Sequence, residues 1–242
     1  MNLSQFVTAA ILVVSSASSQ AALVSLSNIT AAWSNVSPTG VATIDNSILT
    51  NPTARWGGDT GFGLSGYNFG AVAGQINNNV PPNSAPFKIG DFTHLNQPIS
   101  PPSITGIDLT VSALVSVDMI DVGVLNFVFR FSHDETPNAA PCPYGPSGLT
   151  GVNVNGCADR VTFASLGSSN VFNVGGTFYT ISAAGFNVDG ISTSDFLTVE
   201  RANNNAELLA TISVSNEVPE PGTLALVSLC LLGLGVARRR SN

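Results

Sequence analysis

The sequence predicts an all-β protein: an antiparallel β-sandwich or jelly-roll-like domain, with an N-terminal signal helix before it and a C-terminal transmembrane helix after it. Three observations lead there. From Ile107 to Val117 every odd position is apolar and every even position except Leu114 is polar, the period of a strand with one buried face. Leu125, Phe127, Phe129 and Phe131 repeat that period with Asn126 and Arg130 opposite, which predicts a hairpin with the preceding strand. Between residues 23 and 216 no stretch keeps a helical period, and short apolar runs alternate with turn residues. Without βαβ alternation, that pattern points to antiparallel sheets.

Along the chain, Phe6 to Val14 is an apolar run followed by SSASSQAA, small residues that offer a signal-peptidase site after Ala21 or Ala22. Residues 1–22 therefore read as a secretory signal, with positive charge supplied only by the amino terminus. Residues 23–216 form one domain, long enough to bury a substantial core. Besides the two strands above, short strands are expected at Ala42 to Leu49, Phe87 to Phe92, Arg160 to Ala164, Phe178 to Ser182, Phe196 to Glu200 and Leu208 to Val214. Turns are expected at Asn77 to Asn79, Gly175-Gly176, Asp189-Gly190 and Asn203 to Asn205.

Residues 217–242 read as a sorting and anchoring segment. Pro219, Glu220 and Pro221 lead into 16 uncharged residues, Gly222 to Ala237, a helix of about 24 Å and just short of a bilayer's hydrocarbon core. Arg238, Arg239 and Arg240 follow, and clustered arginines beside an apolar segment stay cytoplasmic, so the main body is expected outside. The two prolines lack amide protons and keep the preceding segment extended and open to a protease.

This tail resembles the PEP-CTERM sorting signal of Gram-negative bacteria from Val218 onward. The resemblance implies recognition by an exosortase, a membrane protease-transpeptidase, and passage through the inner membrane to the cell surface or extracellular matrix. Hosts with this signal commonly make extracellular polysaccharide. A second resemblance lies in the body. TARWGGD (53–59), SGYNFG (65–70), FKIGDFTHLNQPI (87–99), HDETPN (133–138) and GCADRVTF (156–163) are similar to the choice-of-anchor K domain, with Leu95 where that motif carries an aromatic. The resemblance, clearest over residues 53–165, implies an exported β-domain of unassigned activity.

Composition narrows the function. Only 10% of residues are charged, against about 25% in ordinary domains, so the surface is hydroxyl- and amide-rich. Without Glu217, Glu220 and the three terminal arginines, 13 acids and 5 bases remain, a net charge of −8. That excludes nucleic acid as an expected partner.

No residue is assigned a catalytic, cofactor or metal role. Thr93, His94, Asn96 and Pro98 form the family-like motif. They read best as structure, His94 bonding a neighbouring loop and Asn96 shaping a turn before Pro98. A His94/His133 pair with Asp134 or Glu135 is a conceivable metal site, but nothing in the spacing demands it. Asp118 and Asp121 offer oxygen to calcium at a strand end, with solvated turn carboxylates as the preferred reading. Cys142 and Cys157 flank a Gly/Pro/Asn-rich segment and are expected to form a disulfide in an oxidising compartment, leaving Cys230 as apolar filler in the terminal helix. GFGLSG (61–66) fits G-x-G-x-x-G but neither follows a strand nor opens a helix, so it is a loop.

The expected function is a non-enzymatic structural or interaction domain of the cell envelope or extracellular matrix. Two alternatives stand beside it. One is a carbohydrate-binding module stacking sugars on Trp33, Trp56, Tyr67 and Phe69. The other is a glycan hydrolase using paired carboxylates.

Overall fold

A computed structural model describes residues 21–80, 83–146 and 148–216. The N-terminal signal helix and the C-terminal transmembrane helix, with Pro219 to Pro221 and Arg238 to Arg240, lie outside the described residues. Among the described residues no helix is long and apolar enough to cross a membrane.

The described chain is all-β, its antiparallel strands curled around one apolar core. In chain order the strands are β1 (Ala22–Ser37), β2 (Ala42–Asp45), β3 (Thr53–Trp56), β4 (Gly58–Asp59), β5 (Ser65–Ala71), β6 (Ile76–Val80), β7 (Phe87–Asn96) and β8 (Ile99–Ser100). There follow β9 (Gly106–Val117), β10 (Ile120–Asp134), β11 (Asp159–Leu166), β12 (Phe172–Val174), β13 (Thr177–Val188), β14 (Ile191–Thr193), β15 (Asp195–Thr198) and β16 (Ala202–Asn216). One large sheet has the order β15-β11-β10-β9-β1-β6; the other runs β12-β13-β16-β7-β5-β3-β2, with β14 beside β13, and β4 and β8 pair separately.

The strand with the cleanest alternation lies deep in the first sheet. Ile107, Leu109, Val111, Ala113, Val115 and Val117 of β9 are all buried, while the residues between them are half-exposed. β9 and β10 form the expected hairpin. Its two-residue turn places Asp118 and Met119 at positive φ, the conformation that matches the twist of adjacent strands.

Other elements differ from expectation. β1 went unpredicted because its period breaks. Val24 and Leu26 are buried on one phase, Ile29, Ala31 and Trp33 on the other, and Asn28 between them takes φ 50° at a bulge that shifts the register against β9. β2 stops at Asp45, short of the expected Leu49, because the Asn46 side chain accepts from the Trp33 amide and donates to the Trp33 carbonyl. Asn77 to Asn79 is no turn: it lies within β6, where Asn77 accepts from the Ser25 hydroxyl. Asn203 to Asn205 likewise belongs to β16. The turn comes just before it, with Arg201 at φ 58°, and Asn204 staples it by accepting from the Val199 amide at 2.8 Å and donating to the Val199 carbonyl at 2.9 Å. Asn204→Ala is expected to cost about 2 kcal/mol, since it strands those backbone groups, and urea unfolding measures the loss. The expected turns at Gly175-Gly176 and Asp189-Gly190 are present as hairpin turns, all four residues at positive φ.

Aromatic rings fill the space between the sheets. Phe92 of β7 lies 4.8 Å from Tyr67, 5.1 Å from Phe131 and 5.4 Å from Phe186 between centroids, and Phe163 packs 4.3 Å from Phe186. Gly90 admits this layer, since a Cβ there would run into the Phe69 ring. Cys142 and Cys157 form a disulfide that closes the 142–157 loop beside the start of β11. Inside that loop Asn153 is buried, donating to the carbonyls of Tyr144 and Pro146 and accepting from the Ala158 amide.

Candidate functional site

At one end of the core, β7 of the second sheet passes the ends of β10, β11 and β15 of the first. Alternation along β7 turns Phe92, His94 and Asn96 inward. His133 enters from the end of β10, and Asp159 is the first residue of β11. His94 and Asp159 have no exposed surface and His133 has 4%. The two imidazoles stand perpendicular with centroids 5.2 Å apart, and one donor atom from each of His94, His133 and Asp159 lies within 4.8 Å of the others. Trp56 stacks on His94 and meets His133 edge-on, walling the cluster with apolar surface.

Hydrogen bonds fix what each group presents. Thr198 donates its single hydroxyl proton to the Asp159 carbonyl, so it accepts from Asn96 Nδ2 and from His94 Nδ1, the latter at 2.9 Å. His94 therefore carries its proton on Nδ1 and a lone pair on Nε2, and that Nε2 makes no hydrogen bond among the described residues. Asp159 Oδ1 accepts from the Thr136 amide at 2.8 Å, whereas its Oδ2 is also unpaired. His133 Nδ1 meets the Tyr67 hydroxyl at 2.7 Å, and its Nε2 faces Glu135 Oε2 at 3.3 Å.

Glu135 is the link to solvent. Its carboxylate accepts from Ser103 and lines a cleft of about 450 Å³ whose other walls include Pro98, Ile99, Pro101 and Asn138. Further in, Glu200 is fully buried, and neither carboxyl oxygen has a hydrogen-bond partner among the described residues. Burial first, and the neighbouring Glu135 charge second, raise Glu200 to about 7. The same two causes, with Glu200 adding to them, push Asp159 well above the carboxylate range. Burial, then His133, drives His94 well below the usual imidazole value, and burial keeps the Tyr67 hydroxyl protonated. No lysine or arginine forms an ion pair with Glu135, Asp159 or Glu200 among the described residues.

The cluster is thus two imidazoles and three acids in an apolar shell. It is not a hydrolytic triad, because Ser103 donates to the carboxylate rather than to the histidine.

The structure distributes the sequence candidates as follows. Thr93 bonds Asn205 on the neighbouring strand, Pro98 offers its carbonyl to the Thr60 hydroxyl, and Asn96 lies in β7 bonding Thr198, so it shapes no turn. His94 and His133 come together, yet Asp134 points away, taking a short hydrogen bond from the Tyr144 hydroxyl. The acid that joins the histidines is Asp159, unremarked in the sequence although it stands two residues after Cys157. Asp118 accepts from the Leu23 amide and so braces β1, and both it and Asp121 are exposed. Trp33, Trp56, Tyr67 and Phe69 are all core residues, 0–2% exposed, which removes the sugar-stacking platform weighed as an alternative. Asp59 Oδ1 accepts from the amides of Gly61 and Gly63, so the GFGLSG loop is tied to a carboxylate and not open to a phosphate.

Residues 217–240 match the family described as the PEP-CTERM protein-sorting motif. The motif implies an exported protein sorted and processed by an exosortase through a membrane-anchored C-terminal signal. No curated protein matches the chain.

Proposed function

We propose that this chain is an envelope or extracellular-matrix component of a Gram-negative bacterium whose β-domain acts as a non-enzymatic structural or interaction module. The observation that carries the reading is the position of the sorting motif, which begins at residue 217 directly after β16 ends at Asn216. Among the described residues, the core runs from Ala22 in β1 to Ile212 in β16. Under this reading the secretory signal is removed on export by cleavage after Ala21, which keeps Ala22 for its pairing with Val80, and the chain from there to residue 216 forms a domain of the choice-of-anchor K type. The terminal apolar segment holds the chain in the inner membrane, with Arg238 to Arg240 on the cytoplasmic side, until an exosortase acts near Pro219 to Pro221.

The hydroxyl- and amide-rich surface favours a hydrated matrix as the destination, and extracellular polysaccharide as a neighbour. Buried aromatic rings leave no basis for specific sugar stacking by Trp33 or Trp56.

Cell fractionation with mass spectrometry of the mature C-terminus tests the proposal. The expected result is envelope or matrix material ending near Pro219 to Pro221. Deleting residues 217–242 is expected to yield a soluble, folded domain with an unchanged near-ultraviolet spectrum. A deletion product that aggregates, or that fractionates like the full chain, overturns it.

A further inference from the structure

We propose that His94, His133 and Asp159, with Glu135 reaching in from the cleft, form a binding site for one divalent transition-metal ion of the zinc type. The donor set selects the ion. Two imidazole nitrogens and two carboxylates suit zinc and its first-row neighbours, whereas calcium and magnesium call for a shell of oxygens. Four protein ligands would complete a tetrahedral shell, the arrangement of structural rather than catalytic zinc.

The geometry supplies what such a site requires. Tetrahedral bonds of about 2.1 Å hold ligand atoms ~3.4 Å apart. The donors of His94, His133 and Asp159 lie within 4.8 Å of one another, so side-chain rotations of about an ångström bring these three around an ion, and Glu135 Oε2, 3.3 Å from His133 Nε2, turns in from the cleft as the fourth. His94 Nε2 and Asp159 Oδ2 are buried with lone pairs that no donor satisfies among the described residues. A cation takes both. The remaining polar atoms of these ligands are already held from outside: His94 Nδ1 by Thr198, Asp159 Oδ1 by the Thr136 amide, and His133 Nδ1 by the Tyr67 hydroxyl, which can donate or accept. That is the outer layer which sets the tautomer and orientation of metal-bound imidazoles.

Charge and access agree. Glu135 and Asp159 bring two acids together with no lysine or arginine paired to either among the described residues, and a divalent ion offsets both. Glu135 is 17% exposed at the cleft wall, so its carboxylate can receive an ion from solvent and pass it to His133. Once bound, the ion ties β7 of one sheet to β10 and β11 of the other.

The test uses the full, untagged chain purified in detergent and stripped with a chelator. Titration calorimetry and elemental analysis after desalting are expected to find one zinc per chain, and zinc is expected to raise the thermal midpoint. His94→Gln is expected to weaken zinc binding by at least about 100-fold, beyond the loss typical of an outer-layer partner. Calcium at the same concentration is expected to leave the midpoint unchanged. Should circular dichroism find His94→Gln unfolded, Glu135→Gln decides, since that partly exposed change leaves the core intact and is expected to weaken binding about 10-fold. No stoichiometric zinc on the unsubstituted chain, affinity unchanged in the folded variant, or displacement of zinc by calcium overturns the assignment.

Discussion

Phe92→Ala is expected to destabilise the folded domain by about 4 kcal/mol, the largest loss for any single truncation considered, because a fully buried ring leaves a cavity its neighbours cannot fill. Phe92 is 0% exposed, and rings from both sheets surround it: Tyr67 and Phe186 from its own sheet, Trp33, Phe131 and Phe196 from the other. Those neighbours sit on paired strands and cannot collapse inward together. Equilibrium unfolding in guanidinium measures the loss, and Phe92→Leu, which keeps most of the volume, is expected to retain more than half of the stability at stake. A loss under about 1 kcal/mol for Phe92→Ala would contradict this description of the core.

Removing the disulfide ranks next. Cys142→Ala combined with Cys157→Ala is expected to cost about 3 kcal/mol, since the bond restricts the unfolded chain across a sequence separation of 15. The loss should appear as a lower denaturant midpoint in the double variant, and again on reduction of the parent chain. The loop keeps its second fastening through Asn153, so the reduced domain is expected to retain its sheets. Mass spectra with and without reductant check the bond itself, and free thiols at both positions would count against it.

β9 was legible because nothing interrupts its period: each inward position is apolar, and the sheet has neighbours on both sides of it. β1 carries just as many buried apolar residues, yet one bulge at Asn28 moves them from even to odd positions, and a period search reads the shift as irregularity. The asparagine runs misled for a related reason. Asn204 does serve a turn, but from inside the following strand, through its side chain. Asn77 serves no turn at all.

The site was legible only in pieces. His94 and His133 lie in segments noted in the sequence, but the strands that carry them belong to different sheets, and only the stacking of those sheets brings the rings together. Asp159 gave less warning still, because a carboxylate beside an arginine at a strand start ordinarily reads as solvated surface. Its neighbour Arg160 does pair at the surface with Asp195, while alternation turns Asp159 itself inward. The sugar-stacking alternative for the aromatic residues stayed open for want of one fact that spacing alone does not supply: which face of β3 and β5 looks toward the other sheet. Trp56, Tyr67 and Phe69 all lie on that face.

The place of β16 has a consequence for how the protein is made. This last strand before the sorting motif is not at an edge but between β13 and β7, hydrogen-bonded on both sides. A chain threaded outward from its amino end delivers β7 and β13 first and leaves a gap between them until residue 216 has cleared the export channel. On the proposed delivery route, closure of the second sheet therefore waits for the last residues before the sorting motif at 217. On that route, a chain held back by its sorting segment fills the middle of the sheet before the processing enzyme acts, so that the product leaves with its seam already shut.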